Sequence, residues 1–192
     1  MNVDSRVRAS RELDESRPGA IIALAAWGVA MGAALGGLTN AINGRVSPEY
    51  FRAVMHWERV LDVARASVAQ GIFEGLLFGL GLSMIFTSTV GMVSHARCPL
   101  RVSGKYLLAI GGAALACWVI GGLLATGLAT LSPEFYREAF RAAPEEPGAL
   151  IRFAWVGGSI WGLQFGGLAA VIVASVLFRA WWRSNLAYPT PA

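Results

Sequence analysis

Few residues in this 192-residue chain carry side chains that could do chemistry inside its apolar stretches. Asn40 and Asn43 stand near the end of the first stretch, and Glu74 stands near the start of the second. Gln164 lies inside the fourth. Polar and ionisable groups are costly within a membrane, so each of them requires an explanation. Because neighbouring stretches of an antiparallel hairpin would bring Asn40 and Glu74 to similar depths, we treat the four residues as one candidate polar cluster.

This candidate cluster has two interpretations. It is either a set of structural hydrogen bonds near the outer membrane interface or a site for an ion or a transported substrate. At about 1.5 Å of helix per residue, Asn40 and Glu74 fall close to the interface, where water can solvate them. Gln164 lies deeper, where an amide is typical of a hydrogen bond between helices. We favour the structural interpretation and keep the transport site as the alternative.

No motif for catalysis or metal binding is found elsewhere in the sequence. His56 and His95 are far apart, and Cys98 and Cys117 have neither a CxxC nor a zinc-site spacing. The sequence GLGLS at 79–83 lacks the strand and loop that precede a phosphate-binding helix. We therefore predict no catalytic residues, no metal site and no cofactor, and we expect that the chain is not an enzyme.

The composition of the chain indicates a membrane protein. Hydrophobic residues make up 55% of it and charged residues only 15%, against about 25% charged in typical soluble domains. The net charge of +4 comes without a dense basic patch, so we expect no nucleic-acid partner. A bilayer-crossing helix needs roughly 20 apolar residues. Four stretches meet this length, namely 19–42, 70–93, 106–131 and 151–178, and they predict an all-α integral membrane fold with four transmembrane helices.

Two loop segments repeat one another, SPEYFRAV at 47–54 and SPEFYREAF at 132–140. Chance similarity between glycine-rich spans could explain matching glycines, but it explains the repeated loops poorly. We therefore predict two tandem two-helix repeats that enter the membrane the same way round, with a parallel pseudo-twofold axis along the membrane normal. The tripeptide Ser-Pro-Glu is typical of a helix start. The serine hydroxyl can cap the helix, proline is tolerated at the first helical position, and the glutamate complements the positive end of the helix dipole. We expect short amphipathic connector helices after Ser47 and Ser132.

Small residues recur four apart in every predicted span, which places them on one face of each helix. Helices in lipid have no hydrophobic drive to associate, so they rely on close backbone approach and dispersion. Such GxxxG-like stripes predict a tightly packed four-helix bundle. The residues expected to mediate this packing are Gly28, Gly32, Gly36, Gly71, Gly75, Gly79, Gly121, Gly158, Gly162 and Gly166.

The placement of basic residues predicts the orientation of the chain. Nine Arg and Lys residues fall in the tails and the middle loop, and seven fall on the other side. The middle loop is short and purely basic, which favours cytoplasmic N and C termini in a multi-pass protein of a bacterial inner (plasma) membrane. The predicted organisation is a polar cytoplasmic tail at 1–18, a first two-helix repeat at 19–93, a basic cytoplasmic loop at 94–105, a second repeat at 106–179 and a C-terminal tail at 180–192.

Three classes of function remain open at this point. The leading hypothesis is a non-enzymatic membrane scaffold or accessory subunit, whose partners are the lipid bilayer and either further copies of the chain or a larger membrane complex. The alternative is a small transporter or channel that uses the polar cluster around Asn40 and Glu74. A membrane-embedded enzyme comes third, because its only support is the carboxylate of Glu74, which has no partner base, thiol or set of metal ligands. A wet cavity reaching Glu74 would favour transport, and a packed bundle would favour the scaffold.

Overall fold

The computed structural model describes residues 18–186, and this part of the chain is helical with no strand. The helices are α1 (Pro18–Val46), α2 (Pro48–Val54), α3 (Val63–Ser94), α4 (Leu100–Leu131), α5 (Pro133–Ala139) and α6 (Pro147–Leu186). Of these, α1, α3, α4 and α6 are long and apolar enough to cross a membrane. The prediction of an all-α fold with four such helices is confirmed, and it suggests a multi-pass membrane protein.

The long helices extend beyond the predicted apolar spans. Hydropathy marks the thickness of the hydrocarbon layer, whereas local capping sets where a helix begins and ends. The Asp62 carboxylate accepts a hydrogen bond from the Arg65 amide at 3.0 Å and starts α3 seven residues before the predicted span. His95 ends α3 in the left-handed conformation, with φ of 50°. At the C-terminus α6 runs into the predicted tail, of which 187–192 lie outside the described residues, as do residues 1–17 of the predicted N-terminal tail.

The four long helices form two antiparallel hairpins that pack side by side. Helix α1 packs mainly against α3, and α4 packs mainly against α6. Between the hairpins, α3 contacts α6 and α1 contacts α4. The α1–α4 contact is parallel, because Met31 and Leu35 of α1 meet Gly111 of α4 while the earlier Trp27 meets Gly104. Corresponding helices of the two hairpins therefore run in the same direction.

Glycines bring the backbones of α1 and α3 into direct contact. A Cβ atom placed on Gly32 would lie 2.7 Å from the Cα atom of Gly79 and would also meet the carbonyl oxygen of Gly75. Gly36 and Gly71 face each other's carbonyl oxygens in the same way. No larger residue fits at Gly32, Gly36, Gly71 or Gly75 unless the two helices move apart.

The second hairpin is closed by contacts of the same kind. A Cβ atom on Gly121 would meet the carbonyl oxygen of Gly158 and would lie 2.9 Å from the Cα atom of Gly162. Gly162 faces the carbonyl oxygen of Cys117, and a Cβ atom on Gly166 would lie 2.7 Å from the Cys117 Sγ atom. The seam between α4 and α6 is thus lined by the small residues of both helices.

Two clusters of buried hydrophobic side chains form toward opposite ends of the bundle. Near the 94–100 turn, a loop-side cluster forms around Phe86, Tyr106 and Phe178, and Tyr106 meets Phe178 edge-on at a centroid distance of 5.5 Å. At the opposite end, a connector-side cluster forms where α2 and α5 cover the hairpins. Its buried members are Tyr50, Phe51, Val63, Ala129, Tyr136, Leu150, Phe153, Ala154 and Val156.

The glycine seams give a direct prediction for stability. Gly32→Leu and Gly162→Leu should each lower the free energy of unfolding by at least about 1–3 kcal/mol, because a side chain there would force two backbones apart. Thermal unfolding in detergent measures the effect. The matched controls are Gly81→Leu and Gly112→Leu, since a Cβ atom on either glycine meets nothing within 4 Å. Equal losses at the seam positions and at the open positions would contradict the packing role.

Candidate functional site

The connector helices α2 and α5 place two tyrosines at the same end of the bundle. The Ser47 hydroxyl accepts a hydrogen bond from the Tyr50 amide at 3.3 Å, and proline follows at the first helical position. At the start of α5 the Ser132 side chain makes no capping hydrogen bond. There the Tyr136 amide donates instead to the Ser132 carbonyl at 3.1 Å. Both turns nevertheless direct a tyrosine into the connector-side cluster.

Gly157 on α6 lies against both tyrosines and makes room for the ring of Tyr50. A Cβ atom at this position would lie 3.1 Å from Cε2 of Tyr50 and 3.8 Å from the hydroxyl of Tyr136. The Tyr50 ring tilts against Phe153 at a centroid distance of 5.0 Å, and Tyr136 lies 4.7 Å from the ring of Phe140. The two connectors therefore meet over the same segment of α6.

The environment keeps both phenols protonated. Burial raises the pKa of Tyr50, and the nearby Glu74 carboxylate raises it further. Burial, with a smaller effect from Tyr50, raises the pKa of Tyr136 to about 12. Neither hydroxyl is bonded to another group within residues 18–186, so each is an available hydrogen-bond donor at neutral pH.

A cavity of about 480 Å³ opens beside these tyrosines. Its size falls in the range of small-molecule sites, which are mostly apolar with a few polar groups. Phe153, Gly157 and Trp161 line it on the α6 side, and Tyr50 and Tyr136 line it from the connectors. The exposed Arg141, which follows α5, supplies a charged group at the same cavity. We name this space the connector cavity.

The predicted polar residues lie elsewhere, and Asn43 is the most buried of them. Its side chain is fully buried, and its Oδ1 atom accepts a hydrogen bond from the Ser159 hydroxyl of α6 at 3.2 Å. Its Nδ2 atom has no hydrogen-bond partner among residues 18–186. Asn40 is buried beside Gly71, and its backbone carbonyl accepts from the Ser67 hydroxyl at 3.1 Å. These asparagines hold helices together, with Asn43 joining the two hairpins.

Glu74 and Gln164 do not join the asparagines. The Glu74 carboxylate accepts a hydrogen bond from Gln70 Nε2 at 2.7 Å, one turn away on its own helix. Gln164 is half-buried on α6. Over residues 18–186, no hydrogen bond connects any two of the four predicted side chains. Equal depth along two helices does not fix the direction in which each side chain points, and the four residues separate for that reason.

Sequence reasoning missed two structural features of this end of the molecule. Ser159 is the polar partner of Asn43, and its place beside the glycine stripe of α6 was the available signal. The connector cavity was missed because its lining comes from four helices, and most of those residues are ordinary apolar ones. The described residues contain no group of three or more His, Cys, Asp or Glu side chains that could hold a metal ion. This geometry is suited to holding an apolar molecule.

The Asn43–Ser159 contact can be tested by a double-mutant cycle. Ser159→Ala should lower the free energy of unfolding by about 1 kcal/mol or more, because it leaves the buried Asn43 amide without its partner. Asn43→Leu should lower the free energy of unfolding less in the Ser159→Ala background than in the parent chain, since it removes the amide that Ser159→Ala leaves without a partner. Thermal unfolding in detergent gives the coupling, and Ser88→Ala on an exposed part of α3 is the control. Strictly additive effects would show that the hydrogen bond carries no energy.

Comparison with known proteins adds no assignment to this geometry. No protein-family model matches the chain, and neither a curated protein nor a solved structure is similar to it. What the chain does must therefore be inferred from its own residues.

Proposed function

We propose that the chain is a membrane-embedded scaffold or accessory subunit of a membrane assembly. The observation that carries the proposal is the backbone-to-backbone closure of both hairpins along their small residues, as at Gly36–Gly71 and Gly121–Gly158. The interhelical polar contacts found within the spans are structural: Asn43 bonds across to Ser159, and Ser83 donates to the Ala25 carbonyl at 2.9 Å. Such a bundle presents fixed apolar faces to lipid or to another membrane protein.

The duplication of a two-helix unit forms part of this proposal. Adding 85 to the residue numbers of α1 and 87 to those of α3 converts contacts of the first hairpin into contacts of the second. Gly36–Gly71 becomes Gly121–Gly158, and Gly32–Gly75 becomes Cys117–Gly162. The parallel course of corresponding helices supports a pseudo-twofold axis along the membrane normal. A tandem repeat gives a scaffold two similar outward faces.

The transport alternative has less support from the geometry. It requires the polar cluster around Asn40 and Glu74 to line a passage for a solute. Glu74 bonds instead to its own helix neighbour Gln70, and Asn40 is buried against the α1–α3 seam. The connector cavity is lined by none of Asn40, Asn43, Glu74 and Gln164. An enzymatic role is the third alternative, and it would rest on Glu74 alone.

The proposed orientation has both termini and the 94–105 loop in the cytoplasm and both connector helices outside. Single cysteines at Arg101, Glu49 and Glu134, all exposed positions, can be introduced after replacing Cys98 and Cys117 by alanine. A membrane-impermeant thiol reagent on intact cells should label positions 49 and 134 but label position 101 only after permeabilisation. The reverse pattern would overturn the orientation.

Substitutions of Glu74 distinguish the scaffold from the transporter. Glu74→Gln keeps the size and the hydrogen bonding to Gln70 but removes the charge, whereas Glu74→Asp keeps the charge and withdraws it by one methylene. If Glu74 is structural, both variants should fold and should restore the phenotype of cells that lack the protein. If it binds a cation or carries a proton, its charge is essential. A well-folded Glu74→Gln variant that fails, beside a Glu74→Asp variant that partly works, would reject the scaffold in favour of the transporter.

A further inference from the structure

The connector cavity continues into an apolar groove on the lipid-facing side of the second hairpin. Ala125, Leu128, Gly158 and Trp161 line both spaces, so the two are one continuous surface. From Leu128 to Cys117 the groove follows about 16 Å of α4, at about 1.5 Å per residue. That length is about half of the roughly 30 Å hydrocarbon core and so matches one leaflet of the bilayer.

The groove exists because the α4–α6 seam is made of small residues between large ones. Gly121, Gly162 and Gly166 form its floor. The rings of Trp161 and Phe165 stack at a centroid distance of 5.3 Å and stand beside this floor, both well exposed. An apolar groove on a membrane-spanning hairpin is filled by an apolar chain that reaches it sideways from the bilayer.

The upper end of the groove carries the groups that a lipid head requires. Arg141 lines the connector cavity, is exposed and forms no hydrogen bond or ion pair with any other described residue. The protonated hydroxyls of Tyr50 and Tyr136 are also available as donors there. A guanidinium recognises phosphate oxygens well because it presents several N–H donors in one plane. Charge complementarity therefore favours a phosphate-containing, anionic head.

We propose that the connector cavity and its groove form a binding site for one anionic phospholipid of the outer leaflet. Its phosphate lies at Arg141, and one acyl chain runs past Trp161 along the glycine floor of the α4–α6 seam. A phospholipid enters laterally from the bilayer, since the groove opens onto the lipid-facing surface. This site goes beyond the scaffold function and does not depend on it, although its place in the outer leaflet rests on the proposed orientation.

The proposed repeat explains why only one hairpin would carry such a site. Under the offsets given above, four positions at this end of the bundle are polar in the first hairpin and apolar in the second. Ala125 replaces Asn40, Leu128 replaces Asn43, Gly157 replaces Gln70 and Trp161 replaces Glu74. At the partly exposed positions of this set, the first hairpin has the polar Gln70 and Glu74 where the second has Gly157 and Trp161, so an acyl chain finds a more apolar wall on the second hairpin.

Photo-cross-linking in vesicles tests the head group. The full chain is reconstituted in phosphatidylcholine vesicles with trace phosphatidylglycerol or phosphatidylcholine, each carrying the same diazirine-labelled acyl chain. Peptides containing Leu128 and Trp161 should be labelled several-fold more by the phosphatidylglycerol probe. Arg141→Gln should make the two probes equal, whereas Arg59→Gln, an exposed arginine on the same side, should not. Equal labelling by both probes in the parent chain would overturn the anionic head.

Cavity-filling variants test the acyl-chain position. Ala142→Trp, and separately Ala139→Trp, should abolish most labelling at Leu128 and Trp161, because both alanines line the cavity. Labelling of the exposed α6 face at Ile172 and Val173 should persist, and Ala169→Trp on the lipid-facing surface should change neither. If Ala142→Trp and Ala139→Trp fold and Leu128 and Trp161 are still labelled as strongly as in the parent chain, the proposal is overturned. Stronger labelling by a diazirine fatty acid, undiminished by excess phosphatidylglycerol, would overturn the phospholipid as the occupant.

Discussion

The structure depends on the direct contact of helix backbones along the two glycine seams. In water, burial of apolar side chains would drive four such helices together, but in lipid that drive is absent. Dispersion between closely spaced atoms must take its place, and it grows with the number of atoms in contact. At Gly36–Gly71 and at Gly121–Gly158 the helices touch through their main chains, which no residue with a Cβ atom would allow.

The close backbone contact along each seam influences how side chains pack at the two ends of the bundle. Large aromatic residues are buried near the 94–100 turn and beneath the connectors, where Phe178 and Phe153 are each almost fully buried. The absence of a side chain at Gly157 leaves space for the ring of Tyr50 where the first connector packs on α6. The cavity beside this ring is thus a consequence of packing that is tight along the seam and wider at its outer end.

Within residues 18–186, few side-chain hydrogen bonds connect the long helices to one another. The Ser83 hydroxyl donates to the Ala25 carbonyl, and the Ser159 hydroxyl donates to the Asn43 amide, so serines next to the seams supply two of the interhelical polar contacts. Short side chains can do this without separating the helices. Glu74, by contrast, keeps its hydrogen bond on its own helix, where it does not constrain the packing of the hairpin.

The sequence by itself determined the all-α class and the four membrane-length helices, because the length of an apolar stretch is a local property of the chain. It also indicated the glycine stripes, since a spacing of four fixes a helix face. The tertiary structure alone decided which side chains meet. Asn43 bonds to Ser159, 116 positions later in the chain, and residues of α2, α4, α5 and α6 enclose the connector cavity. Such contacts depend on the rotation of each helix about its own axis, and only the packing of all four long helices together fixes that rotation.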